Sequence, residues 1–288
     1  MGVAMVTPMD AGGGIDFIGL EKLTRHLIDG GTNYLVVQGT TGESPVLSWD
    51  EKIAVLDKVI EVNAGRIPVV FGVGGNNTVA VVEQLAKVEN KAIDGILSVS
   101  PAYNKPTQEG IVAHFKAVCA ATNHDVILYN VPGRTSSNMT AATTLEIARS
   151  CSNAVAIKEA SGDLLQITDI LRARPAGFEV ISGDDPLTYA MMTMGAVGVI
   201  SVVGNVLPQI LSDMVSDCAS GDYSKALPTH FDLLDYTSML FAEGNPGGAK
   251  AALNSLQICQ EHMRLPLVPI SAALRQRIVD ETIRLTAN

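Results

Sequence analysis

A lysine ends the apolar run Ala154-Val155-Ala156-Ile157-Lys158. As a strand, this run turns Ala154, Ala156 and Lys158 to one face and Val155 and Ile157 to the other. An amine held among apolar groups is disfavoured as an ammonium ion, which leaves the neutral form free to attack a carbonyl carbon. A strand-end lysine that snorkels into solvent is the plainer alternative. Of the ten lysines, only Lys158 ends such a run. Three other clusters could do chemistry beside it. Gly39-Thr40-Thr41-Gly42-Glu43-Ser44 sets two hydroxyls between glycines, which suits a carboxylate as well as an ordinary turn. Ser100-Pro101-Ala102-Tyr103-Asn104-Lys105-Pro106 and Tyr129-Asn130-Val131-Pro132-Gly133-Arg134-Thr135 add two phenols and a guanidinium. Phenols donate and accept hydrogen bonds at neutral pH, and the planar fork of arginine grips carboxylates. Taken singly each cluster is weak, because a tyrosine at a strand end is more often a packing or capping group.

The elements that must position these groups are short β-branched runs, each followed by a loop and an amphipathic helical pattern. The runs are Val3–Thr7, Tyr34–Val37, Pro68–Phe71, Gly95–Val99, Val126–Tyr129, Ala154–Lys158, Glu179–Ile181 and Gly198–Val202. Eight strand-helix repeats, apolar on both strand faces, predict an α/β fold: a (β/α)8 TIM barrel with a C-terminal helical extension. An open doubly wound sheet is the alternative, but no G-x-G-x-x-G follows the first strand. Asp16 is read as the cap of a helix stopped by Gly30, Ser48 with Glu51 as a capping box, and Asp185-Pro186 as a helix start. Beyond Asn205 the strand signals cease, and helices broken near Gly221, Gly244–Gly248 and Leu265–Pro269 follow. The organisation is therefore read as a barrel over 1–204 carrying the site, then the last barrel helix and a helical region over 205–288. That tail is read as a packing appendage.

Composition removes several classes of function. The net charge of -10 argues against nucleic-acid and anionic-membrane partners, which call for clustered Lys and Arg. Cys119, Cys151, Cys218 and Cys259 are widely spaced and read as reduced thiols of a cytoplasmic protein. Neither they nor His26, His114, His124, His230 and His262 show metal-ligand spacing, so no metal is expected. The start lacks a basic secretory region, and Val6 stands where a myristoylation signal wants Ser or Thr. Pro186 to Ser212 is uncharged like a membrane span, but Gly195, Gly198, Gly204, Asn205 and Pro208 break it into buried helix, strand and loop.

The ordered set G-T-T-G-E, Y-N-K-P, Y-N-V-P-G-R-T, I-K-E-A-S-G-D and I-S-G-D-D resembles the dihydrodipicolinate synthase family, within the N-acetylneuraminate lyase superfamily of pyruvate-dependent aldolases. The resemblance spans nearly the whole chain, whose start looks a few residues shorter than usual. In barrels of this kind the chemistry lies on loops after the strands, where these motifs fall. The resemblance implies that Lys158 forms a Schiff base with C2 of pyruvate while Tyr129 shuttles protons. It further implies that Thr40 links Tyr129 to a Tyr103 reaching in from a neighbouring subunit, and that Thr41 holds the pyruvate carboxylate. Arg134 would hold the carboxylate of L-aspartate 4-semialdehyde, and the backbone at Gly183 and Ile200 would shape the pocket. No cofactor is implied, since the protonated imine is itself the electron sink.

Two alternatives stand beside this reading. A sister aldolase, such as N-acetylneuraminate lyase or a keto-deoxy sugar acid aldolase, shares the lysine and first tyrosine, yet Thr41 and Arg134 point to the dihydrodipicolinate branch. A non-catalytic keto-acid-binding barrel would be expected to lose Lys158 or Tyr129. The resemblance also implies a homotetramer of two tight dimers, although Ala102 stands where many relatives interlock an aromatic. Many relatives bind L-lysine at that interface, and the corresponding positions here are Ser44, Pro45, Trp49, Lys52, Asn76, Ala80 and Ala102. Ala80 replaces the acid that would meet the effector's ammonium, Ala102 replaces the phenol, and Trp49 and Lys52 stand where histidines are expected. The cleft is therefore expected not to function.

Overall fold

The computed structural model describes residues 1–287. Eight strands run through it: β1 Gly2–Ala4, β2 Tyr34–Val37, β3 Val69–Gly72, β4 Gly95–Val99, β5 Asp125–Asn130, β6 Ala154–Glu159, β7 Glu179–Ser182 and β8 Ile200–Ser201. They form one sheet in the order β7-β6-β5-β4-β3-β2-β1-β8, and Ser182 bridges Val199 just ahead of β8. Helices lie between the strands, so this is the expected (β/α)8 barrel, followed by C-terminal helices. The chain separates into two compact units, Met1–Pro68 with Ser201–Asn288, and Val69–Ile200.

In the first unit, α1 (Phe17–Asp29) is capped by Asp16, whose carboxylate accepts the amides of Ile18 and Gly19, and closes at Gly30. Ser48 and Glu51 form the anticipated capping box of α2 (Trp49–Asn63). Strand β1 ends earlier than its β-branched run suggests. The amide of Val6 donates to Asn205 Oδ1 at 3.1 Å, and Asn205 Nδ2 returns a bond to Ala4 O at 2.9 Å. A side chain some two hundred positions away thus takes the groups a longer ladder would use. The C-terminal helices are α9 Pro208–Ala219, α10 Tyr223–Phe241, α11 Gly247–Ser255 and α12 Ala272–Thr286. A Cβ at Gly248 would stand 2.4 Å from Leu240 O, so only glycine lets α11 approach the end of α10 this closely.

Glu51 does more than cap. Arg264 Nη1 and Nη2 donate to its two carboxylate oxygens at 2.9 and 2.5 Å, and this guanidinium, with the Ser48 amide, lowers the carboxyl from 4.5 to about 2. A depressed folded-state value contributes stability that is complete above pH 4.5 and lost as the pH falls toward 2. Glu51→Gln is therefore expected to flatten the fall of Tm across that window. Parallel Tm curves for the two proteins would contradict this.

The second unit holds β3 to β7 in sequential parallel pairing. Its helices are α3 Thr78–Val88, α4 Gln108–Ala120, the single turn α5 Pro132–Thr135, α6 Ala141–Ser150, α7 Leu164–Ala173 and α8 Thr188–Thr193. Asp185-Pro186 opens a 3₁₀ turn, Asp185–Leu187, before α8 rather than starting the helix directly. The regular alternation read for Ala154–Lys158 is interrupted. Val126 pairs with Ala154 but Ile127 with Ala156, so Val155 is the extra residue of a β-bulge. Past the bulge, Ala156 and Lys158 still share a face. No helix among the described residues is long and apolar enough to cross a membrane.

Candidate active site

The second unit brings Lys158 and Tyr129 together. They are register partners on β6 and β5, in a row that continues to Val99 on β4 and Ile181 on β7. Register partners on parallel strands point to the same face, so the amine and the phenol are neighbours by construction. Lys158 Nζ lies 4.4 Å from the centroid of the Tyr129 ring. Both residues are buried, at 5% exposure each, so Lys158 does not snorkel into solvent. It makes no ion pair among the described residues, whereas the other buried lysine, Lys250, is paired at once. Gly183 follows β7 beside it. A Cβ there would meet Ala160 Cβ at 2.7 Å and Lys158 Cε at 3.0 Å, so any larger residue would push into the space the amine uses. Ile200 is buried on β8.

The next register pair, Asn130 and Glu159, locks the two strand ends. Asn130 Nδ2 lies 3.1 Å from both oxygens of Glu159, the Ser161 amide donates to Oε1 at 2.8 Å, and Gln166 Nε2 donates to Oε2 at 3.1 Å. Burial pushes the Glu159 carboxyl upward, and these bonds oppose it. Glu159 lay within the I-K-E-A-S-G-D motif, but nothing in its spacing distinguished it from a solvated acid.

Arg134 sits exposed on α5 and makes no ion pair among the described residues. Tyr103 is also outward-facing, 87% exposed, with φ 71°, and its amide bonds Thr135 O at 3.1 Å. Left-handed backbone in a bulky residue is uncommon and tends to mark functional loops. Nearby, Asn76 is exposed and donates to Ala102 O at 3.1 Å, while Ala80 and Ala102 are half-buried.

In the first unit, Thr40–Gly42 forms a 3₁₀ turn with Thr41 buried and Thr40 half-buried. Asn245 Nδ2 donates to Thr41 Oγ1 at 3.0 Å, which leaves the threonine proton free to donate elsewhere. Gly42 O accepts from Thr7 Oγ1 at 2.7 Å. Behind the turn, Glu43 Oε1 meets Lys250 Nζ at 2.5 Å with neither side chain exposed; burial lowers the Lys250 ammonium against the pull of Glu43. Ser44, Trp49 and Lys52 lie just beyond, half-buried, and burial lowers the Lys52 ammonium too. Asn245 and Lys250 carried no sequence motif. A signal existed for Lys250 all the same, since a lone cation in Gly248-Ala249-Lys250-Ala251-Ala252-Leu253 needs a buried partner.

The chain is similar to known proteins over almost its full length. The model of the dihydrodipicolinate synthetase family matches residues 1–284. The chain is 49% identical over 278 residues to 4-hydroxy-tetrahydrodipicolinate synthase of Parabacteroides distasonis, covering 96% of this chain and 94% of that one. Dihydrodipicolinate synthase from Aquifex aeolicus superposes with a TM-score of 0.95 at 37% identity, covering 99% and 97% of the two chains. The Cyanidioschyzon merolae enzyme, solved with lysine bound, gives 0.96 at 38% identity over 100% and 98%. With a buried strand-end lysine set against a tyrosine and a match of this extent, the chain belongs to the dihydrodipicolinate synthetase family.

Proposed function

We propose that this chain condenses pyruvate with L-aspartate 4-semialdehyde through a Schiff base on Lys158, giving 4-hydroxy-tetrahydrodipicolinate for lysine and diaminopimelate biosynthesis. The observation that carries the reading is the register pairing of Lys158 with Tyr129, both buried. The Lys158 amine adds to C2 of pyruvate, and Tyr129 delivers the proton with which the carbonyl oxygen leaves as water. Thr41 donates its free proton to the pyruvate carboxylate, and Thr40 relays protons between Tyr129 and Tyr103. The imine acidifies the methyl carbon, which loses a proton to give an enamine. The enamine attacks the aldehyde carbon of the second substrate, whose carboxylate Arg134 holds. The substrate amine then attacks C2 and displaces Lys158, which closes the ring.

Tyr103 points away from its own chain's packing, which supports its entry into a second subunit's site and a homotetramer of paired dimers. A cytoplasmic setting suits four cysteines that are all unpaired and buried. The test is mass spectrometry after borohydride treatment with pyruvate. The peptide containing Lys158 should gain mass, and a chain that only binds keto acids would gain none.

The same reading covers regulation. L-Lysine should inhibit weakly or not at all at millimolar concentrations, because Ala80 and Ala102 offer neither acid nor phenol, and Asn76 is already engaged with Ala102 O. Lys52 would add a partly desolvated cation facing a cationic ligand. A lysine titration at saturating pyruvate checks this. Inhibition below about 1 mM, where binding is worth more than about 4 kcal/mol, would refute it.

A further inference from the structure

The G-T-T-G turn is bracketed by two non-glycine residues in left-handed backbone, Gln38 at φ 62° and Glu43 at φ 56°. Residues held there persist only where their surroundings over-determine them. Gln38 is tied through Nε2 to Thr7 Oγ1 at 3.2 Å, and that hydroxyl donates to Gly42 O at 2.7 Å. On the other side the ties come from the C-terminal segment. Asn245 reaches Thr41, Lys250 pairs with Glu43, and the Arg264 amide lies 3.4 Å from Glu43 Oε2. Lys250 Nζ also donates to His262 O at 2.7 Å, so the ammonium is fixed from two directions. Its helix is itself seated by Gly248 against the α10 backbone.

We infer that Lys250 and Glu43 are positioning residues for the carboxylate-binding hydroxyl of Thr41, which makes the C-terminal helices part of the keto-acid site rather than an appendage. The inference rests on the function proposed above. An apolar pair of equal volume would join these two elements without the desolvation penalty of two buried charges. What the ion pair adds is direction. It aims Glu43 through a strained backbone and so sets the orientation of the Thr40–Gly42 turn immediately before it.

The test is the double variant Glu43→Gln/Lys250→Met, which leaves no unpaired buried charge, assayed beside each single variant. In the folded double variant the KM for pyruvate should rise about tenfold or more. The pyruvate concentration that half-saturates borohydride labelling of Lys158 should rise with it. The KM for the aldehyde should stay near that of the unmodified enzyme, and so should kcat and the extent of labelling at saturating pyruvate. A folded double variant with unchanged pyruvate dependence overturns the inference. So does a uniform loss in all parameters or a double variant that does not fold, since the pair would then serve the fold alone. If the unmodified protein gains no label from pyruvate and borohydride, it is the underlying functional reading that fails.

Discussion

Lys158→Ala is expected to abolish turnover and pyruvate-dependent covalent trapping together. The imine needs a primary amine beside the proton donor, and of the two buried lysines only Lys158 lies against the Tyr129 ring. Lys250 is committed to Glu43 and His262 O, which both accept from its amine. Lys158 has the Tyr129 ring and bare Gly183 close by and no carboxylate partner among the described residues. Alanine in its place leaves the β5–β6 register intact, because that register rests on backbone bonds and on the Asn130–Glu159 pair. A folded but chemically silent protein is therefore the expected product, with an unchanged melting curve as the control. Labelling that persisted in the variant would remove Lys158 from the mechanism.

Arg134→Ala should separate the two substrates. The guanidinium stands exposed on a one-turn helix with no ion pair among the described residues to occupy it, as suits a group that meets a ligand. Losing one charge-assisted contact costs roughly 1.5 to 3 kcal/mol, or about ten to a hundredfold in kcat/KM for the aldehyde. Labelling of Lys158 by pyruvate should stay near the unmodified level, because in the proposed mechanism that step precedes aldehyde binding. Steady-state kinetics with each substrate varied in turn, beside the labelling assay, decide the matter. Equal losses in both would contradict the assignment.

The barrel was legible because its strands are apolar on both faces and short, a pattern few other folds demand. Strand ends were not, for a specific reason: what terminates β1 is Asn205, and no local pattern around Val6 announces a partner so remote. The bulge at Val155 was equally hidden, since A-V-A-I-K fits a perfect alternation as well as a broken one. In the candidate site, the burial of Lys158 was worth asking about from sequence because a cation ending an apolar strand run is anomalous by itself. Glu159 and Glu43 looked like the ordinary surface acids that most glutamates are, and only their zero-exposure contacts with Asn130 and Lys250 separate them. Asn245 carries no anomaly of its own, because one amide hydrogen bond to Thr41 leaves no mark on sequence pattern.

The buried Glu43–Lys250 pair also bears on how the protein responds to warming. Hydration of charged groups becomes less favourable as temperature rises, so the penalty for keeping this pair dry shrinks with heating. The joint between α11 and the Thr40–Gly42 turn consequently weakens less on warming than contacts whose stabilisation reaches a plateau. Thermal inactivation should then follow the loss of the barrel itself, with the turn among the last parts of its unit to loosen.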